Sequence, residues 1–176
     1  MASRIRASVF VGTSLDGYIA RLDGALDFLP AEPEDHGYTE FMAGVDTLVI
    51  GRKTYETVLG FDTWPYAGKR VVVLSTRPIA KPRVADADVT QMSGNPADIV
   101  AQLAERGAQH LYVDGGVTIQ RFLEAGLIQR LIVTRVPVLI GTGTPLFGPL
   151  TRDVRLRHVA TRQYASGLVQ SEYLVL

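Results

Sequence analysis

Short β-branched segments alternate with short helical segments through the first two thirds of the chain, and this order constrains the fold more than any other feature. Strands are predicted at residues 5–13, 47–50, 70–74 and 110–113. Helices are predicted at residues 53–59 and 118–125, and between an Asn95-Pro96 start and a closing Gly107. Because parallel strands need a crossover between them, this alternation predicts a mostly parallel sheet.

The last third of the chain has a different pattern. Residues 130–140, 155–164 and 168–176 are predicted strands with no helix between them, which indicates an antiparallel edge. Residues 14–30, with Gly17, Gly24 and several aspartates, are predicted to form a loop. No internal repeat or linker divides the sequence, so we expect residues 1–176 to form a single α/β domain.

Charge and cysteine content exclude several classes of function. Lys plus Arg and Asp plus Glu both number 18, so no excess charge favours nucleic acid or a membrane surface. The chain has no cysteine, which excludes disulfides and thiolate zinc sites, and its three histidines lack ligand spacing, so no metal site is expected. Residues 1–6 are too polar for a signal peptide and no apolar run is long enough to span a membrane. A cytoplasmic protein is therefore expected.

Two strand-to-helix turns carry glycine, at residues 50–55 and 113–118. Neither matches the Rossmann or P-loop fingerprint. Such turns let backbone approach a ligand closely and direct the free N–H groups of a helix start at an anion, so together they could hold a pyrophosphate. The alternative is that each glycine serves only its own tight turn.

Five motifs in order along the chain resemble the reductase domain of the riboflavin-pathway deaminase/reductases, within the dihydrofolate-reductase-like superfamily. They are SLDGYIA at 14–20, IGRKTYE at 50–56, the segment 71–78 with LSTR at 74–77, YVDGGVTIQRFL at 112–123 and IGTGTPLF at 140–147. The resemblance implies a three-layer fold, with a mostly parallel central sheet, antiparallel C-terminal edge strands and helices on both faces.

The resemblance also implies that NADPH is the cofactor and lies across the carboxyl edge of the sheet. The first turn would meet the phosphates, the second would hold the pyrophosphate from the other side, and the segment after strand 70–74 would meet the 2′-phosphate. The implied contacts are Gly51, Arg52, Lys53, Thr54, Leu74, Ser75, Thr76, Arg77, Val113, Gly115, Gly116, Val117, Thr118 and Ile119. Many dihydrofolate reductases have an arginine where this chain has Val117, so one basic contact is absent.

Two acids are candidates for catalysis on the substrate side. Asp16 lies in the loop that would cover the nicotinamide, although an Asp before Gly17 also stabilises turns. Asp35 falls at the position of the dihydrofolate reductase carboxylate by a gapless count from Gly51, although acids also favour the first turn of a helix. Trp64 and Tyr66 either line a pocket or pack in the core.

The expected activity is reduction by NADPH of a pteridine-like or ribosylaminopyrimidine-like heterocycle, similar to 5-amino-6-(5-phosphoribosylamino)uracil reductase of riboflavin biosynthesis. The alternatives are dihydrofolate reduction, a catalytically silent NADP-binding module, or a purely structural domain. The zinc deaminase domain of the bifunctional enzymes has no counterpart here. The resemblance and the apolar segment 130–140 both indicate a homodimer.

Overall fold

The computed structural model describes residues 5–31 and 34–176, which form an α/β fold around one large sheet. In chain order its elements are β1 (Arg6–Ser14), β2 (Tyr18–Ala20), α1 (Tyr38–Ala43), β3 (Thr47–Gly51), α2 (Arg52–Leu59), β4 (Arg70–Leu74), β5 (Asp88–Met92), α3 (Pro96–Glu105), β6 (His110–Asp114), α4 (Gly116–Glu124), β7 (Arg130–Val136), β8 (Thr144–Pro145), β9 (Leu156–Gln163) and β10 (Val169–Val175).

The eight-stranded sheet has the order β5-β4-β3-β6-β1-β7-β10-β9. The strands from β5 to β7 are parallel, whereas β10 runs antiparallel to both β7 and β9. The prediction of a mostly parallel sheet with an antiparallel C-terminal edge is therefore confirmed. This arrangement brings the ends of β3, β4 and β6 to a single edge of the sheet.

Helices cover both faces of the sheet. Ile99 of α3 and Phe122 of α4 belong to the core on one face, and Phe41 of α1 and Tyr55 of α2 belong to the core on the other. Strand residues alternate between these cores, so Val113 and Tyr112 of β6 pack on opposite faces. No helix in the described ranges is long and apolar enough to cross a membrane.

Several short elements differ from the sequence predictions. The segment 14–30, predicted as a loop, contains β2, which pairs with β8. The strand β5 was not predicted, and a helix at α1 was indicated only by the interpretation of Asp35 as a helix-start acid. Both elements are short, and β5 contains Asp88 and Gln91 and is held by its pairing with β4.

The long strand predicted at 130–140 ends at Val136, because Pro137 interrupts the ladder and the Val138 carbonyl accepts a hydrogen bond from the Leu15 N–H. The premise that this segment exposes an apolar sheet surface was wrong. Ile132 and Val133 are buried within the chain, and among the large hydrophobic side chains of this segment only Leu139 is largely exposed. The homodimer stays a prediction that rests on the resemblance alone.

Candidate cofactor cleft and acidic site

The two glycine turns lie against one another at the carboxyl ends of β3 and β6. A Cβ atom added to Gly51 would lie 3.0 Å from the Thr118 Oγ1, and one added to Gly115 would lie 2.7 Å from the Thr54 Oγ1. Gly115 also has a φ of 99°, which favours glycine. The glycines therefore let each turn approach the hydroxyl of the other, so part of their role is structural.

The helices that leave these turns begin without a side-chain cap. Neither Gly51, before α2, nor Gly115, before α4, offers a side chain to the first N–H groups. By contrast, the Asn95 side chain accepts a hydrogen bond from Ala97 N at the start of α3. Two uncapped helix starts side by side concentrate N–H donors and positive helix-dipole ends, an arrangement that suits a bound pyrophosphate.

A cleft of about 400 Å³ opens beside the first turn, and we name it the arginine cleft. Its lining includes Arg52, Ser75, Thr76, Arg77, Gly94 and Arg121. Arg52 pairs with Glu56 at 2.6 Å, and Arg121 donates to the Gly94 carbonyl at 2.8 Å. Three arginines therefore line one cleft, and this residue type has the charge and the donors that suit a phosphate group.

Arg121 was not among the residues predicted to contact the cofactor. It follows exposed Val117 by one helical turn of α4, so it lies on the same helix as the position where many dihydrofolate reductases carry arginine. The spacing of four residues on one helix face is the signal that could have identified it. Arg121 thus places a basic side chain on α4 at the arginine cleft, although Val117 itself is apolar.

Other predicted contacts contribute through backbone or packing. The side chains of Val113 and Ile119 are fully buried, and the Ile119 N–H already donates to the Gly115 carbonyl, so both residues support the turn from the core. The Ser75 hydroxyl is hydrogen-bonded to the backbone of Arg77 and so stabilises that turn. Thr76 and Arg77 are exposed beside it.

Asp114, the last residue of β6, directly precedes the second glycine turn and was not among the predicted catalytic acids. Its side chain is half-buried, and the Oδ1 accepts a hydrogen bond from Gly115 N at 2.9 Å. Removal from solvent raises its pKa from 3.8 to about 6, and the hydrogen bond only partly opposes this rise. Asp114 is therefore an acid that can hold a proton near neutral pH.

The charge of this acid acts on three buried or partly buried tyrosines, and we name the four residues, Asp114, Tyr38, Tyr66 and Tyr112, the Asp114 cluster. Burial raises the pKa of each tyrosine, to about 12 for Tyr38, and the charge of Asp114 adds to the effect in all three. The Tyr112 hydroxyl donates to the Phe10 carbonyl at 2.8 Å. The sequence signal for this site was an Asp at the end of a strand, but its neighbours come from distant segments.

Asp16 connects two loops. Its carboxylate accepts hydrogen bonds from Ile140 N at 3.3 Å and Gly141 N at 2.7 Å, and a hydrogen bond from the Ser14 side chain is the main cause of its lowered pKa. The strand β2, which follows this loop, lies against the second turn, since a Cβ on Gly116 would come within 3.5 Å of Ile19. This geometry favours positioning of the loop over proton donation by Asp16.

Asp35 is exposed and stabilises the start of α1. Its two carboxylate oxygens accept hydrogen bonds from Gly37 N at 2.9 Å and Thr39 N at 3.0 Å. Hydrogen bonding to Thr39 and Gly37 lowers the pKa of Asp35. These contacts match the alternative interpretation of Asp35 as a helix-start acid. Within residues 5–31 and 34–176, no group of three or more His, Cys, Asp or Glu side chains is arranged to hold a metal ion.

The chain matches the family model described as the RibD C-terminal domain over residues 8–170. The chain belongs to the RibD C-terminal domain family. It is 34% identical over 170 residues to YwjB of Bacillus subtilis (strain 168), an uncharacterised protein, covering 94% of this chain and 95% of YwjB. It is 40% identical, with a TM-score of 0.89, to a structure from Shewanella sp. PV-4 provisionally assigned to riboflavin biosynthesis, covering 98% and 99% of the two chains.

More distant structures share the fold. The deaminase/5-amino-6-(5-phosphoribosylamino)uracil reductase of Thermotoga maritima has a TM-score of 0.78 at 15% identity, and the match covers 98% of this chain and 57% of that one. Dihydrofolate reductase from Enterococcus faecalis, solved in complex with NADP(H), has a TM-score of 0.69 at 19% identity, with 98% and 97% covered. The predicted dihydrofolate-reductase-like fold is thus confirmed, and membership in the RibD C-terminal domain family supports a reductase role.

Proposed function

We propose that the protein is an NADPH-dependent reductase of a ribosylaminopyrimidine-like or pteridine-like heterocycle. The observation that carries the proposal is the position of Asp114, an acid with a pKa of about 6 that directly precedes the second glycine turn. A reductase needs a proton donor beside its cofactor, and this arrangement provides one. The RibD family match supports the same chemistry.

The residues at the sheet edge fit NADPH. The uncapped starts of α2 and α4 would receive the pyrophosphate, because their free N–H groups have no side-chain acceptor. The arginine cleft would receive the 2′-phosphate, with Thr76 as a hydroxyl donor and Arg77 and Arg121 as charge partners. When bound, NADPH would supply a hydride from its nicotinamide ring.

Asp114 would supply the proton. Reduction of a C=N or C=O group adds a hydride to carbon and leaves negative charge on the heteroatom, which takes up a proton. A protonated carboxyl donates one readily, and the loss of solvation on folding keeps Asp114 protonated to higher pH than an exposed aspartate. Asp16 would act indirectly, by holding the loop after β1 against Gly141.

Substrate-dependent oxidation of NADPH tests the proposal. Purified protein is incubated with NADPH and either 5-amino-6-(5-phosphoribosylamino)uracil or dihydrofolate, and the loss of reduced nicotinamide absorbance is followed. We expect consumption with the uracil compound, because Asp35, the counterpart of the dihydrofolate reductase acid by sequence count, is exposed and engaged in capping α1. Consumption only with dihydrofolate would favour that alternative. NADPH binding without consumption would favour a silent binding module.

A further inference from the structure

Trp64 places an unsatisfied hydrogen-bond donor beside the Asp114 cluster. Its indole Nε1 is buried and has no hydrogen-bond partner among residues 5–31 and 34–176. An indole N–H can only donate, and leaving a buried donor unpaired costs free energy. An acceptor from outside the chain would remove that cost.

The surroundings of Trp64 connect it to the acid. Its ring centroid lies 5.5 Å from that of Tyr66, at an interplanar angle of 82°, and 6.5 Å from that of Tyr55, at 83°. Tyr66 in turn packs in the same buried cluster as Tyr112, and Tyr112 lies two residues before Asp114 in β6, on the same face of that strand. A planar ligand that reaches Asp114 therefore comes close to an aromatic wall that carries one buried N–H group.

We propose that the Trp64 indole N–H donates to a ring carbonyl oxygen of the substrate and thereby selects heterocycles that carry such a carbonyl. This inference rests on the proposed function, because it assumes that the substrate binds beside Asp114. The competing explanation is internal. Perpendicular rings let an N–H group point at an aromatic face, so Tyr55 or Tyr66 could act as a weak acceptor.

The chain contains a single tryptophan, so a tryptophan analogue supplied during expression replaces Trp64 alone. Benzothienylalanine keeps the fused-ring shape but has sulfur in place of the indole N–H. Calorimetry in the presence of NADP⁺ would measure binding of 5,6-diaminouracil, which has two ring carbonyls, and of 2,4,5,6-tetraaminopyrimidine, which has none. The Trp64→Phe variant is a second way to remove the donor, and urea unfolding checks that both proteins fold.

We expect the analogue to weaken 5,6-diaminouracil binding by about tenfold and to leave tetraaminopyrimidine and NADPH affinities unchanged. Equal affinity of the analogue protein and the wild type for 5,6-diaminouracil would overturn the inference and favour the contact with a tyrosine face. Equal weakening of the binding of both pyrimidines would also overturn the inference, because loss of packing would then explain the result. If neither pyrimidine binds the wild-type protein, the proposed substrate class is wrong. That result contradicts the proposed function itself and is distinguishable from a wild-type protein that binds both pyrimidines without using the Trp64 N–H.

Discussion

Replacing Asp114 with asparagine should stabilise the protein at high pH while removing the proposed proton donor. Folding raises the pKa of Asp114 from 3.8 to about 6 because the carboxyl loses solvent. The folded state therefore resists ionisation of this group, and stability is fully present below pH 3.8 and falls as the pH rises through 6. Since each pKa unit corresponds to about 1.4 kcal/mol, the loss approaches about 3 kcal/mol above pH 6.

Asparagine has nearly the same shape and does not ionise. Its side-chain oxygen can still accept the hydrogen bond from Gly115 N that the carboxylate accepts in the wild type. We therefore expect Asp114→Asn to match the wild type near pH 3.8 and to exceed its free energy of unfolding by up to about 3 kcal/mol at pH 8. For a chain of this length that difference corresponds to a rise in Tm of about 6–12 °C.

Urea unfolding at pH 4, 6 and 8, followed by the fluorescence of Trp64, measures this difference directly. A matched control is Asp88→Asn, because Asp88 is exposed on the edge strand β5. The control should show no such pH-dependent gain. A stability difference between Asp114→Asn and the wild type that stays constant from pH 4 to pH 8 would refute the reasoning. It would mean that folding does not shift the ionisation of Asp114.

Three further changes test the rest of the account. Arg77→Ala should weaken the binding of NADPH by about ten- to a hundredfold and leave the binding of NADH unaffected, because only NADPH carries the 2′-phosphate. Calorimetry measures both affinities. Gly115→Val should weaken the binding of both cofactors and lower the Tm of the protein. The valine Cβ would meet the Thr54 hydroxyl, and the φ of 99° at this position disfavours a side chain. Asp16→Asn should lower kcat more than Asp35→Asn does in steady-state assays, and the reverse order would contradict the role given to Asp16. Light scattering at micromolar concentration should show a homodimer, and a monomer would contradict that prediction.

Sequence patterns were sufficient where an element owes its form to local residues. The strand β4 was predicted at residues 70–74 as observed, because the run of valines is apolar, β-branched and closed by a turn. The two glycine turns were also located correctly, since glycine at a strand end is a local signal. Pairing with distant segments created β2 and β5, and no local pattern indicated either strand.

In the candidate site, too, some features have a local sequence signal and others depend on contacts between distant segments. The arginine cleft followed from residues near two strand ends, apart from Arg121, which reaches it from one turn further along α4. Asp114 was visible in the sequence only as part of a turn. Its raised pKa depends on burial in the folded chain, and Tyr38 and Tyr66, whose pKa values its charge raises, come from other parts of the sequence. Burial of an acid by distant residues is a tertiary property that spacing alone does not encode.

The most direct test of the account is the titration of the wild-type protein with NADPH and NADH under the same conditions. Both dinucleotides share the pyrophosphate that the uncapped starts of α2 and α4 would receive, so both should bind. We expect NADPH to bind at least about ten times more tightly, because the arginine cleft would meet its additional phosphate. The control variant Arg157→Ala, on the far edge strand β9, should preserve that preference. Equal affinities, or no binding of either dinucleotide, would contradict the account.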